Sequence, residues 1–274
     1  MRIVFIIPVL LLLLSKNVYS KERYVLARAP QLAPTVMSKL WTPFVKYLSK
    51  EIGAEIILKV YSSRPEFEKD IVRGKIDFYF GNPGYGVVGY VKHGYVPLVR
   101  SSRKLLEGIV VVKKDGPIND ISQLSGKTIS FPSKNAFAAS LLIRYQLSSQ
   151  FKLKYTSQFS GGHDNSYRSV LVGNTAAAGG VVRTLERENE GLKSQLKIIY
   201  RTPGIKSHPF MAHPRVPLKV QKAISESILK LDETDSGKKL LKSVKISAPV
   251  KSNYKDDYSE IEAFALDSYR DLIE

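Results

Sequence analysis

Segments typical of strands and of helices alternate over residues 23–80, and this order constrains the fold more than any other feature. Short apolar runs predict strands at 23–29, 54–60 and 76–80. Between the first two strands, apolar residues recur every four positions from Val36 to Ile52, as they do on one face of an amphipathic helix. A shorter helix is predicted at 64–74. This β-α-β-α-β order indicates a mostly parallel sheet covered by helices.

A second series of strands and helices follows, and the chain then turns back towards the first. A strong strand is predicted at 108–113, and the strands of the second series follow at 128–131, 151–156, 176–178 and 196–200. The sequence ends with three helices, predicted at 217–231, 235–244 and 256–272. We therefore expect an α/β protein of two lobes with mostly parallel sheets, with 21–112 and 203–274 in lobe one and 113–202 in lobe two. Two chain crossings would join the lobes as a two-strand hinge beside a crevice.

The first 20 residues have the layout of a signal peptide. Arg2 gives a positive start, residues 3–14 are apolar, and residues 15–20 are polar. An apolar run of this length is too short to span a bilayer, which takes about 20 residues. We expect cleavage near Ser20 and export to a periplasm. An uncleaved membrane anchor is the alternative.

Charge and cysteine content narrow the classes of function. The chain has 42 Lys and Arg against 25 Asp and Glu, for a net charge of +17. Such an excess favours an anionic ligand, an acidic surface or a nucleic acid, and export makes nucleic acid an improbable partner. The chain has no cysteine, which excludes disulfides, thiol catalysis and a lipid-modified N-terminal cysteine.

Four glycine- or proline-rich segments are candidates for binding. The segment 81–86 is predicted as a loop directly after the third strand, where ligands bind in open α/β sheets. In 131–140 a strand leads into a helix start, whose free N–H groups favour an anion. Two glycines precede His163 and Asp164 at another helix start, and Arg183 follows a run of small residues. Ordinary turns, helix caps and a local ion pair of Arg183 explain these patterns equally well.

Signatures of catalysis and of metal binding are missing from the sequence. It contains no Gly-x-Ser-x-Gly, His-Glu-x-x-His or Walker motif. A fifth segment, 203–217, carries His208 and His213, but no carboxylate or thiol is spaced around them as in a zinc site. We expect no cofactor and no metal. An enzyme that uses His163 and Asp164 stays as an alternative.

The order of several short motifs resembles the substrate-binding proteins of phosphate, phosphite and phosphonate ABC transporters, within the type 2 periplasmic binding proteins. The resemblance covers nearly the whole chain after residue 20. The motifs that carry it are Trp41-Thr42-Pro43-Phe44, Gly74-Lys75-Ile76-Asp77, Gly81-Asn82, Ile121 to Thr128, Phe131-Pro132 and Gly162-His163. It implies a ligand held in the crevice between two lobes.

The resemblance also suggests which residues contact the ligand. They are Arg64, Asn82, Pro83, Tyr85, Asn135, Ala136, Phe137, His163 and Asp164. In the family a Ser-Thr-Ser-Gly-like run at the second helix start holds the phosphonate, whereas this chain has Asn135-Ala136-Phe137-Ala138-Ala139 there. Hydroxyl groups are thus replaced, while backbone N–H donors are kept.

The resemblance implies a monomeric binding protein, not an enzyme, that delivers a small solute to an ABC transporter permease. The solute class it suggests is a phosphonate-, phosphite- or phosphate-like anion. A periplasmic partner of a membrane sensor kinase or cyclase is the first alternative. A basic adhesin is a further one, since the positive surface could attach to anionic lipid or polysaccharide.

Overall fold

The computed structural model describes residues 22–30, 32–103 and 105–274. The predicted signal peptide lies outside the described residues. The described chain forms two sheets, each with helices packed on it. The six-stranded sheet has the order β11-β4-β10-β3-β1-β2. Its strands are β1 Arg23–Arg28, β2 Glu55–Lys59, β3 Phe78–Phe80, β4 Val96–Ser101, β10 Pro209–Ala212 and β11 Pro249–Lys251.

The second sheet has five strands in the order β7-β6-β8-β5-β9. Its strands are β5 Ile109–Lys113, β6 Thr128–Phe131, β7 Thr156–Phe159, β8 Ala177–Gly180 and β9 Leu196–Arg201. We call each sheet with its helices a lobe, the first lobe holding the six-stranded sheet. The prediction of two α/β lobes is confirmed.

Helices cover the faces of both sheets. In the first lobe they are α1 Pro34–Ile52, α2 Arg64–Val72, α3 Pro83–His93, α8 Leu218–Lys230, α9 Asp235–Ser243, α10 Tyr254–Asp257, α11 Glu262–Ser268 and α12 Arg270–Ile273. In the second lobe they are α4 Ile143–Tyr145, α5 His163–Leu171, α6 Val182–Leu185 and α7 Glu190–Lys193. Wide π-type turns flank α4, at Phe137–Leu142 and Gln146–Gln150. No helix in the described part of the chain is both long and apolar enough to cross a membrane.

Both sheets are mixed, whereas the sequence predicted mostly parallel ones. The strands β2, β1 and β3 are parallel, and so are β7, β6 and β8. By contrast, β10 and β5 run antiparallel to both of their neighbours. These two are the first strands after each crossing between the lobes. A strand that enters from the other lobe needs no crossover helix, so it can run in the opposite sense.

The two crossings are hydrogen-bonded to each other at the hinge. Leu106 and Ile205 form an antiparallel bridge, with N···O distances of 2.7 and 3.1 Å. The predicted boundary after residue 112 falls inside β5, whose two neighbours, β8 and β9, both belong to the second sheet. The first crossing therefore ends before Ile109, because a strand belongs to the sheet that satisfies its backbone groups.

Three local predictions differ from the structure. The segment 81–86 was predicted as a loop, but Pro83 starts α3 and Asn82 caps it by accepting a hydrogen bond from the Tyr85 N–H at 2.9 Å. Pro at the first helical position after an Asn cap is a regular helix start. The strand predicted at 151–156 lies at Thr156–Phe159 instead. The helix predicted at 256–272 is divided into α10, α11 and α12.

Candidate ligand-binding site

A cavity of about 630 Å³ lies between the two lobes, beside the hinge. Both lobes and the first crossing contribute to its wall. The first lobe provides Arg28, Phe80, His208 and Lys245, the crossing provides Arg103, Leu105, Leu106 and Glu107, and the second lobe provides Val181, Val182, Arg183, Glu186 and Arg201. A cleft of this size between domains is typical of a small-molecule site.

Arg28 is the deepest cation in this wall, with 2% of its surface exposed. It is the last residue of β1 and pairs in register with Phe80, the last residue of β3. The carboxyl ends of parallel strands meet at one edge of a sheet, where the crevice of an open α/β sheet lies. Arg28 therefore projects from the strand edge at which a ligand is expected.

Main-chain and aromatic groups hold the Arg28 guanidinium in place. Its Nη1 donates to the carbonyl oxygens of Ala29 at 3.1 Å and Phe80 at 3.2 Å. The guanidinium carbon lies 5.0 Å from the centre of the Phe80 ring and 5.8 Å from that of Trp41. No Asp or Glu of the described residues forms an ion pair with it. A buried charge without a counter-charge is costly, so this site favours an anion.

Other positive charges lie close to Arg28. Burial lowers the pKa of the Arg28 guanidinium, and the charges of Arg64 and Arg183 lower it further. Arginine nevertheless stays protonated at neutral pH. Lys245, which has φ +63° just after α9, has a pKa lowered to about 8 by burial and by Arg28, Arg183 and Arg187. These cations repel one another, and an anion among them would relieve that repulsion.

Two histidines face the same group of cations and are uncharged at neutral pH. Burial, with the charges of Arg28 and Arg183, lowers the pKa of His208 to about 3, and its ring lies 5.8 Å from that of Phe80. Burial and the charge of Arg64 lower the pKa of His163 to about 4. A neutral imidazole still offers one N–H donor and one acceptor nitrogen.

His163 is the first residue of α5 and is oriented by its own lobe. Its Nδ1 lies 3.2 Å from the hydroxyl of Thr184, which also contacts the Tyr167 hydroxyl at 2.7 Å. Asp164 follows it on the exposed face of the helix start. His163 lies at a helix start of the second lobe and Arg64 at the start of α2 in the first, and the charge of Arg64 contributes to the lowered pKa of His163.

The predicted residues of α3 are occupied in contacts within the first lobe. Asn82 caps the helix and donates from Nδ2 to the Tyr269 hydroxyl at 3.1 Å. Pro83 is buried beside it. Tyr85 is 1% exposed and donates its hydroxyl to the buried carboxylate of Glu68.

Residues 134–137 of the second lobe contact the first lobe directly. Asn135 donates from Nδ2 to Glu68 Oε1 at 3.3 Å, and Lys134 pairs with Asp271 at 2.8 Å. The ring of Phe137 packs 5.6 Å from that of Phe264 in α11. Ala136, between them, accepts two helical N–H groups at its carbonyl. This side of the cleft is therefore closed by protein side chains.

The family of the chain follows from a match over most of its length. A family model described as "ABC transporter, phosphonate, periplasmic substrate-binding protein" matches residues 26–258. The chain belongs to this family. Its members are periplasmic substrate-binding proteins of transporters rather than enzymes, and the predicted recognition of the family is confirmed. No curated protein sequence matches the chain.

Solved structures of the phosphonate-binding family and of sulfonate binders share the fold. PhnD1 from Prochlorococcus marinus (MIT 9301), in complex with methylphosphonate, is 19% identical, with 91% of this chain and 98% of that chain covered and a TM-score of 0.74. XAC2383 from Xanthomonas citri, bound to chloride ion, is 16% identical, with 91% of this chain and 99% of that chain covered and a TM-score of 0.79. The aliphatic sulphonate binding protein SsuA from Escherichia coli is 13% identical, with 92% and 88% covered and a TM-score of 0.62.

The residues suggested by the family resemblance do not line the cavity at the hinge. None of the nine, which are Arg64, Asn82, Pro83, Tyr85, Asn135, Ala136, Phe137, His163 and Asp164, belongs to its wall. Their contact with a ligand stays a prediction.

The sequence analysis did not identify Arg28 and Lys245 as residues of the ligand site. For Arg183 and His208 it left a role in binding undecided. The position of Arg28 at the end of a parallel strand was a usable signal. No sequence signal pointed to Lys245, because only the fold brings it to the cleft.

Within the described ranges, no group of three His, Asp or Glu side chains could hold a metal ion.

Proposed function

We propose that this phosphonate-family protein binds a small oxyanion in the cavity at the hinge, with Arg28 as the main anchor. The observation that carries the proposal is a buried arginine that lines an interlobe cavity and has no ion-pair partner among the described residues. Charge-assisted hydrogen bonds from a guanidinium to an oxyanion are short, directional and strong. The cavity wall comes from both lobes, so ligand binding would favour the closed arrangement.

The surroundings of Arg28 fit an oxyanion better than a neutral solute. His208 and Lys245 stand beside it in the first lobe, and Arg183 faces it from the second. Fixed N–H donors and positive charge in a desolvated site are what an oxyanion needs. The structures of relatives with methylphosphonate and with chloride hold anions too, which supports the same class of ligand for this chain.

The partner we propose is an ABC transporter permease, with the protein exported to the periplasm as a monomer that binds its ligand without turnover. Its family and the fold it shares with phosphonate and sulfonate binders support transport. No specific observation favours a sensor kinase, a cyclase, an adhesin or a hydrolase as the alternative. The intact mass of the protein isolated from the periplasm would test cleavage near Ser20.

Binding of methylphosphonate, phosphate and sulfonates by calorimetry and thermal shift tests the proposal. A ligand at one hundred times its Kd adds about 2.7 kcal/mol of stability, which raises the melting temperature measurably. We expect Arg28→Gln to weaken oxyanion binding at least tenfold, without lowering the melting temperature of the ligand-free protein. The exposed Arg168→Gln on α5 is the matched control and should bind normally. Equal affinity of Arg28→Gln and the unmodified protein would contradict the proposal.

A further inference from the structure

The cations of the cavity wall stand at two depths. Arg28 lies in the floor and is almost fully buried. Three more arginines, Arg103, Arg183 and Arg201, stand at the rim and are exposed. A single tetrahedral oxyanion at the floor would engage Arg28 and its neighbours. It would leave much of the positive charge of the rim without a partner.

The rim has more positive charge than its own carboxylates can balance. Three arginines, Arg103, Arg183 and Arg201, stand at the rim against two carboxylates, Glu107 and Glu186. With Arg28 in the floor, the arginines of the cavity exceed its carboxylates by two. Glu107 is already engaged with Arg201, at 3.7 Å. Charges focused in a cleft raise the local concentration of counter-ions and of charged ligands. The excess therefore indicates more negative charge on the ligand than one group at the floor.

The cavity is also larger than one oxyanion group requires, and part of its wall is apolar. Its volume of about 630 Å³ corresponds to roughly 20 water molecules at their share of the liquid. Leu105, Leu106, Val181 and Val182 contribute apolar side chains to the same wall. Leu105 is 51% exposed, although it is a large apolar side chain beside the cleft. An organic body would cover these side chains, whereas phosphate would not.

We infer that the ligand is an organic molecule with two separated anionic groups, one held by Arg28 in the floor and the other by Arg183 at the rim. This inference rests on the proposed function, because it assigns the ligand class of the same cavity. Apolar carbon between the two groups packs on the leucine and valine side chains. Arg183 belongs to the second lobe and Arg28 to the first, so such a ligand spans the cleft and ties the two lobes together.

Two probes that differ in one group test the inference. 3-Phosphonopropionate and propylphosphonate have the same length, but the first ends in a carboxylate and the second in a methyl group. Calorimetry on the full protein at low ionic strength should give at least fivefold tighter binding of 3-phosphonopropionate. Arg183→Gln should reduce this ratio of affinities to about one. Arg168 is also an exposed arginine of the second lobe but lies outside the cavity, so Arg168→Gln should leave the ratio unchanged.

The outcomes separate the inference from the proposed function. If both probes bind equally well to the unmodified protein and Arg28→Gln weakens both, the two-anion ligand is wrong and the oxyanion site at Arg28 stands. If the Arg183→Gln variant keeps the same ratio of affinities for the two probes, the inference is also wrong, because another residue then holds the carboxylate. If neither probe nor phosphate binds, the proposed function fails as well. Melting temperatures of the variants show whether each one is folded.

Discussion

Arg28 and Phe80 form one unit at the floor of the interlobe cavity. They are paired in register on the parallel strands β1 and β3, and Arg28 Nη1 donates to the carbonyl oxygen of Phe80. The guanidinium carbon also lies 5.0 Å from the centre of the Phe80 ring. The strand that provides the cation is thus held beside the strand that provides its aromatic and carbonyl support.

Replacing Phe80 by Leu should weaken oxyanion binding severalfold. A cation over an aromatic face gains about 0.5–2 kcal/mol, and that contact orients the guanidinium towards the cavity. Calorimetric titration with methylphosphonate measures the change. Phe78→Leu is the matched control. Phe78 lies on the same strand and in the same hydrophobic core as Phe80, but outside the cavity. A loss of affinity in Phe78→Leu as large as in Phe80→Leu would contradict a specific role for the Phe80 ring.

Binding of an oxyanion should weaken as the pH rises through about 8. The pKa of Lys245 is lowered to about 8 in the ligand-free protein, first by burial and then by Arg28, Arg183 and Arg187. A bound anion favours the charged lysine and raises this pKa, so the added affinity is present below about pH 8 and is lost above the raised value. Kd values at pH 7 and pH 9 measure the effect. The Lys245→Arg variant keeps the positive charge at pH 9, so its affinity for the oxyanion should change less between pH 7 and pH 9. Equal pH dependence of Kd in the variant and the unmodified protein would refute a role for Lys245.

The ligand-free protein should lose stability between pH 7 and pH 5. The pKa of His163 is lowered to about 4 and that of His208 to about 3, so both are neutral in the folded chain. In the unfolded chain they take up protons near pH 6.5, so the stability present above that pH is lost as the pH falls towards 4.

Since both rings are partly buried, we expect a loss of about 2 kcal/mol for the two together. Urea unfolding in phosphate-free buffer measures the loss. The double variant His163→Gln, His208→Gln should show a flatter pH dependence. If the free energy of unfolding of the double variant depends on pH as steeply as that of the unmodified protein, other groups cause the pH dependence.

Gly84→Ala should loosen the closed side of the cleft. A Cβ at Gly84 would lie 2.3 Å from a ring carbon of Tyr269 and 3.0 Å from the ring of Phe137 in the second lobe. Overpacking of this kind costs about 1–3 kcal/mol, so the melting temperature should fall. The radius of gyration in small-angle X-ray scattering should rise as the lobes separate. Gly191→Ala on α7, where the nearest atom outside the helix is Asn189 Oδ1 at 3.3 Å, should change neither value.

Local sequence was sufficient where an element depends on its own residues. The apolar repeat of α1 and the alternation of strands and helices predicted two α/β lobes, because the faces they bury can be read from their spacing. The glycine-rich start of α3 was misread, since Gly84 and Gly86 reflect close approach of other side chains rather than a loop. A Cβ at Gly86 would lie 3.0 Å from Pro209 Cγ.

The sequence alone determined the two-lobed class of fold and the family, because periodicity and motif order are properties of the chain itself, and its net positive charge predicted an anionic ligand. Only the tertiary structure decided which cations meet. Arg28, Arg183 and Lys245 are far apart in sequence, and strand pairing and two crossings bring them to one cavity. It also decided the sense of β5 and β10, because each strand pairs after its crossing with strands of the sheet it enters that are distant in sequence, which no local pattern specifies.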